Sequence, residues 1–283
     1  MKFLIAAMAA IFILTVRPAF ANDINNIYEI NKINYLRFGH GQKTLVIIPR
    51  LSLQSVMNFA DAIKASYKLL EKDFTIYLFD RREDLPDKYS IAEMAEDTAQ
   101  AIKSLKLEHI YLFGVSQGGM IAMQIAATHP ELITSMILGS TAARISQRAQ
   151  KLFNSWVQLA KAGDAAELTL DFSQAVYPEK IFEQSKDLLI NAAKAVTSDD
   201  LRRFVILTQG MNGFDITEDL AKIKCPVLVI GAKDDKIFGE TEAIEIAEQL
   251  KNKHLFMYDG YGHAVYDFAP DYRERMLNFF NLH

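Results

Sequence analysis

His109-Ile110-Tyr111-Leu112-Phe113-Gly114-Val115-Ser116-Gln117-Gly118-Gly119-Met120-Ile121-Ala122 is the stretch that decides the fold. Its centre, Gly114 to Gly118, reads G-x-S-x-G. An apolar strand candidate, His109 to Phe113, precedes it. A helix candidate rich in Ala, Met and Ile, Gly119 to Ala127, follows. A serine between a buried strand and a buried helix must sit on a sharp turn. Small neighbours let the backbone take strained angles there and push the hydroxyl outward. The five-residue pattern by itself also marks ordinary turns, so the flanks and the partners supplied elsewhere carry the reading.

Outward from this turn the chain alternates. Thr44 to Ile48 and Phe74 to Phe79 are near-continuous apolar runs, the pattern of strands buried on both faces. Later strand candidates are Leu132 to Leu138, the buried run Val227 to Ile230, and His254 to Tyr258. Helical periodicity fills the gaps over 56–70, 91–105, 241–250 and 271–282. Ser90 with Glu93 three residues on predicts a capping box at the start of the second of these. His129-Pro130 closes the helix after the turn, because a residue before proline avoids helical angles. Residues 27–39 alternate apolar and polar positions around Asn31-Lys32 and predict an antiparallel hairpin.

Strands alternating with helices predict an α/β class: a mainly parallel, doubly wound sheet with an N-terminal antiparallel hairpin. One segment, 143–222, holds helical patterns and no buried strand. An insertion at that point would lie over the carboxyl ends of the strands, where open α/β sheets bind ligands. It is read as a helical lid, mostly packed on its own aromatic core. The expected layout is therefore a core of 22–142 and 223–283 with the lid inserted between.

The chain has 283 residues, half of them hydrophobic, with a net charge of −4. That suffices for one sizeable core. No basic stripe or basic-aromatic interleaving appears, which excludes a nucleic-acid partner from the expectations. Lys2, the apolar run Phe3 to Val16 and Ala19-Phe20-Ala21 predict a signal peptide over 1–21, hence a periplasmic or secreted protein. The run is short for a membrane span, so no stable insertion is expected once it is cleaved. Cys225 is the only cysteine and forms no intrachain disulfide; it reads as a small packed residue. The six histidines lack metal-ligand spacing, and no phosphate loop or dinucleotide fingerprint appears. No metal and no cofactor is expected.

Serine is a weak nucleophile until a base takes its proton and a third group orients that base. Gly231-Ala232-Lys233-Asp234-Asp235 follows one buried strand and offers a carboxylate. Gly260-Tyr261-Gly262-His263 follows the last strand and can hang a histidine over the serine turn. Serine, acid and histidine then occur in the chain order of the α/β-hydrolases. On these three motifs, the chain from about Ile27 to Leu282 resembles a small lid-bearing α/β-hydrolase of the esterase, lactonase and haloperoxidase-like kind.

The resemblance implies a catalytic triad of Ser116, Asp234 and His263. Asp234 is preferred to Asp235 because the family acid usually stands three residues after the glycine. It also implies an oxyanion hole from the backbone N–H groups of Gln117 and Leu51. The loop that carries Leu51 reads Pro49-Arg50-Leu51-Ser52, where the family commonly has His-Gly. Arg50 is either a structural loop residue or a pocket residue favouring carboxylate-bearing substrates. Met120, Phe153 and Trp156 are further candidates for substrate contact.

The implied function is hydrolysis of a small-molecule ester, lactone or thioester. Carbon–carbon bond hydrolysis and cofactor-free perhydrolase or haloperoxidase chemistry use the same triad. A noncatalytic binding protein of the same fold is the reading from another class. Oligomeric state has no signature in the sequence.

Overall fold

The computed structural model describes residues 26–283, so the expected signal peptide lies outside the described residues. Eight strands form one sheet: β1 (Ile27–Ile30), β2 (Ile33–Gly39), β3 (Lys43–Ile48), β4 (Phe74–Arg82), β5 (Ile110–Val115), β6 (Ile133–Gly139), β7 (Val227–Ala232) and β8 (Lys253–Tyr258). Their spatial order is β1-β2-β4-β3-β5-β6-β7-β8. The β1–β2 and β2–β4 pairs are antiparallel and every later pair is parallel.

The N-terminal hairpin turns on Asn31 and Lys32 at φ 52° and 63°. Two successive left-handed residues are what a two-residue type I′ loop demands. His109, expected to open a strand, instead has φ 52°, and β5 starts at Ile110.

Two layers of helix cover the sheet. α1 (Ala60–Ser66) and α10 (Tyr272–Leu282) lie on one face, with α2 (Ile91–Ser104), α3 (Gln117–Thr128) and α8 (Gly239–Gln249) on the other. On the first face the Phe74 and Phe280 rings lie 5.8 Å apart and those of Phe113 and Tyr272 6.1 Å apart. On the second, the α-carbon of Gly114 faces Ala122 of α3 and that of Gly231 faces Ala243 of α8. The capping box forms as expected: Ser90 Oγ accepts from Glu93 N, and the Glu93 carboxylate accepts from Ser90 N.

The single helix expected over 56–70 is broken into a 3-10 turn, α1 and a second 3-10 turn. The break falls at Tyr67, whose N–H is shared between the Ile63 and Lys64 carbonyls. Its ring packs edge-on to Phe113 and under the Arg273 guanidinium at 4.1 Å. These tertiary contacts fix Tyr67 and override the helical period.

Between β6 and β7 the chain forms four α-helices, a 3-10 turn (Thr217–Lys222) and no strand: α4 (Gln147–Ala162), α5 (Ala165–Val176), α6 (Glu179–Ala193) and α7 (Ser198–Gln209). Phe153, Trp156, Phe172 and Phe204 make a continuous set of ring contacts within it. A short α9 (Val265–Phe268) precedes α10. No helix among the described residues is long and apolar enough to cross a membrane.

Candidate active site

The strand-to-helix turn after β5 is as tight as its sequence requires. Ser116 has φ 54° and ψ −120°, a conformation that costs an L-residue on the order of 1–3 kcal/mol and persists only where surroundings impose it. The surroundings are visible. Ser116 N donates to Gly139 O at 2.9 Å, and Thr141 Oγ1 donates to Ser116 O at 2.7 Å. A Cβ on Gly118 would lie 2.0 Å from the Ile48 carbonyl oxygen, and one on Gly119 would lie 2.6 Å from Thr141. Those two glycines let α3 start hard against the end of β3 and the residues that follow β6.

His263 stands on the loop after β8, just before α9, and is almost fully enclosed, with 1% of its surface exposed. Its Nδ1 lies 2.8 Å from Asp235 Oδ2. An ionised carboxylate only accepts, so Nδ1 carries the proton and Nε2 is the basic nitrogen. The other Asp235 oxygen accepts from the amides of Ile237 at 2.8 Å and Phe238 at 3.1 Å. Burial opposes ionisation of Asp235. The charge and hydrogen bond of His263 and the two amides outweigh it and hold the carboxyl below its ordinary range.

The carboxylate on His263 is therefore that of Asp235. Asp234, preferred from the sequence, turns the other way and accepts from the backbone N–H groups of Gly260 at 3.0 Å and Gly262 at 2.9 Å. The reason is the turn itself. Asp235 N bonds back to Ala232 O, which points the second acid inward and leaves the first to tie down the histidine loop.

Ser116 and His263 line one small cavity of about 10 Å³, together with Arg50, Leu51, Phe153, Trp156, Phe172 and Met211 among others. That is about the space of a single water. Phe153 and Trp156, the expected substrate contacts from the lid, both line this cavity. Met120 does not: it is fully buried in α3 and lines neither this cavity nor the larger one beside it. The physical reason is that α3 is enclosed on nearly every side, so its apolar residues are core.

The two expected amide donors flank Ser116. Gln117 is the first residue of α3, where an N–H has no acceptor within the helix. Leu51 lines the cavity on the loop after β3. Two arginines pin that loop in place of the missing glycine. Arg50 Nη1 donates to Leu51 O at 3.1 Å, and Arg81 Nη2 donates to Pro49 O at 2.8 Å.

Arg81 also donates to Gln117 Oε1 at 3.1 Å, so one buried guanidinium holds both sides of the site. Burial lowers its pKa to about 10, which leaves it charged at neutral pH. Its neighbour Asp80 accepts from Ser55 Oγ and from Arg203 of α7, both at 2.5 Å. Gln117 Nε2 donates to Leu207 O at 2.7 Å, a second tie to α7. Asp80 and Arg81 escaped the sequence reading. Their signal was the run Asp80-Arg81-Arg82 at the carboxyl end of an otherwise apolar strand.

Among the described residues no group of three or more His, Cys, Asp or Glu is placed to hold a metal ion. The arrangement is suited to acyl transfer: a serine on a strained turn, an enclosed imidazole braced by a carboxylate, and two backbone amides.

Residues 58–270 match the family model of the α/β hydrolase fold. The chain belongs to the α/β-hydrolase family. A candidate carbamate hydrolase, RutD, from Rhizobium rhizogenes is 25% identical over 219 residues, covering 74% of this chain and 84% of that protein. Among solved structures, the enol-lactonase from Burkholderia xenovorans LB400 superposes with a TM-score of 0.78 at 18% identity, covering 90% and 99% of the two chains. The α/β-hydrolase enzyme MGS-M2 from a deep-sea metagenome library of the Medee basin reaches 0.79 at 22% identity, covering 90% and 97%. At these identities the structures speak for the fold. As a member of this family, the protein is an enzyme of the hydrolase class.

Proposed function

We propose that this α/β-hydrolase is an exported serine hydrolase that cleaves a small carboxylic ester, lactone or thioester through an acyl-enzyme on Ser116. The observation that carries the reading is the buried 2.8 Å contact between His263 Nδ1 and Asp235, on a histidine that shares a cavity with Ser116.

The chemistry follows from that contact. With Nδ1–H given to Asp235, Nε2 takes the Ser116 proton as Oγ attacks the carbonyl. Asp235 stabilises the imidazolium that results. The amides of Gln117 and Leu51 receive the negative charge developing on the carbonyl oxygen, each donor worth about 3 kcal/mol in the barrier. The imidazolium then protonates the leaving oxygen or sulfur. A water, deprotonated by His263, attacks the acyl-enzyme and restores Ser116. The lid helices α4–α7 exclude bulk water from this sequence of steps. A carbamate presents the same carbonyl to the same groups, which places the chemistry named for the RutD relatives within reach of this site.

The test is a panel of short-chain p-nitrophenyl esters set beside thioesters and lactones. Turnover that disappears in Ser116→Ala and His263→Ala supports the reading, and undiminished turnover in Ser116→Ala overturns it. Export rests on the charged, apolar and A-x-A segments of residues 1–21. N-terminal sequencing of protein recovered outside the cytoplasm should begin at Asn22; protein that stays in the cytoplasm with Met1 intact contradicts it.

A further inference from the structure

Beside the small cavity lies a larger one of about 150 Å³ that shares Arg50 and Phe172 with it. It sits on the α1/α10 face at the carboxyl ends of the central strands. Its floor is apolar, formed by Ile47, Leu78 and Val115. A cavity of this size holds a ligand of about six to eight non-hydrogen atoms. It supplies the room that the cavity at Ser116 lacks.

Three charged side chains line it: Arg50, Arg273 and Asp267. Both guanidiniums are permanently charged, so the wall carries an excess of one positive charge even with Asp267 ionised. Burial pushes the Asp267 carboxyl up, against the pull of Arg50, Arg273 and His263, which makes the excess larger rather than smaller. Arg273 gives Nε to Ser66 O at 3.2 Å, and its Nη1 lies 3.7 Å from Met276 Sδ. It forms no ion pair among the described residues. Tyr266 lines the same wall, and its buried hydroxyl has no hydrogen-bond partner. Asp235 does not line this cavity, and its carboxylate is bonded to His263, Ile237 and Phe238. Excess positive charge in an enclosed, largely apolar space favours an anion that completes its hydrogen bonds.

We propose that this cavity receives the acyl part of the substrate and that Arg273, with Arg50, binds a carboxylate at the far end of that acyl chain. The substrate class is then a monoester, thioester or lactone of a short dicarboxylic acid. This deepens the acyl-enzyme reading above and rests on it, but the cavity can be tested without turnover.

Hexanoate and its neutral isostere hexanamide are titrated calorimetrically into the Ser116→Ala protein. Hexanoate should bind at least tenfold more tightly. Arg273→Gln in the same background should remove that preference. Asp267→Asn, which adds to the positive excess, should increase it. The opposite signs separate electrostatic recognition from misfolding, because damage to the fold would weaken both. Equal binding of the two probes, or a preference untouched by both substitutions, overturns the proposal.

In the active enzyme the matching readout is kcat/KM for monomethyl adipate against methyl hexanoate, with the anionic ester preferred. Should Ser116 fail to react with a fluorophosphonate while hexanoate still binds as described, the hydrolase reading falls and the carboxylate site stands. Hydrolysis of both esters with no anionic preference gives the reverse.

Discussion

Asp235 spends both carboxylate oxygens inside the protein, one on His263 and one on two backbone amides. Asp235→Asn should leave the backbone contacts but present the wrong partner to Nδ1–H, with a loss in kcat of about 10³ to 10⁴. Asp234→Asn should lose no more than about tenfold, since Asp234 holds only the Gly260 and Gly262 amides. Steady-state kinetics on the two variants settles which acid serves the imidazole.

The same shift has a consequence for stability. A carboxyl held below its ordinary range contributes stability that is fully present above the unfolded pKa of about 3.9 and lost as pH falls through the lower folded value. Thermal melts taken downward from about pH 6 should therefore draw wild type and Asp235→Asn progressively together once pH falls below the unfolded value of about 3.9. At this scale the positions of Ser116 and His263 were legible, because each follows a strand on a glycine-bearing loop. The choice between Asp234 and Asp235 was not. It depends on a turn closed by Asp235 N and Ala232 O and on a loop 26 residues further on.

Between elements, the decisive contact is the start of α3 against the end of β3. Gly118→Ala would drive a Cβ to 2.0 Å from a backbone oxygen that cannot move without displacing the loop of Leu51. The expected result is a destabilisation of about 1–3 kcal/mol or more, with activity falling beyond the stability loss. Circular-dichroism melts and kcat/KM measured below the melting transition separate the two. The glycine pattern announced this contact in the sequence. The buried guanidinium of Arg81, joining Pro49 to Gln117, did not announce itself. A charge at a strand end reads as a solvated tip until α7 is known to fold over it.

At the scale of the whole molecule the alternation of buried strands and amphipathic helices carried the fold, including the hairpin edge and the helical stretch between β6 and β7. The charged cavity was beyond reach, because Arg50 lies more than 200 residues before Asp267 and Arg273 and only the folded sheet brings them together. Cys225 offers a check on the integrity of the core. Burial pushes its thiol up to about 11. At pH 8 only about one thiol in a thousand is then ionised, so iodoacetamide should label it slowly in the native protein and rapidly in urea. A raised thiol pKa contributes stability below the unfolded value of about 8.5 that is lost as pH climbs toward the folded one. Fast native labelling at pH 8 would contradict the burial of Cys225 just ahead of β7.

In the proposed mechanism Ser116 is activated by His263 and Asp235 at one site. Time-resolved intact mass spectrometry of the protein with a fluorophosphonate probe, followed by peptide mapping, tests this most directly. One adduct per chain should form on the peptide carrying Ser116, disappear in Ser116→Ala, and slow by about a thousandfold in Asp235→Asn but not in Asp234→Asn. An adduct on another residue, or phosphonylation of Ser116 at the same rate in Asp235→Asn, would contradict it.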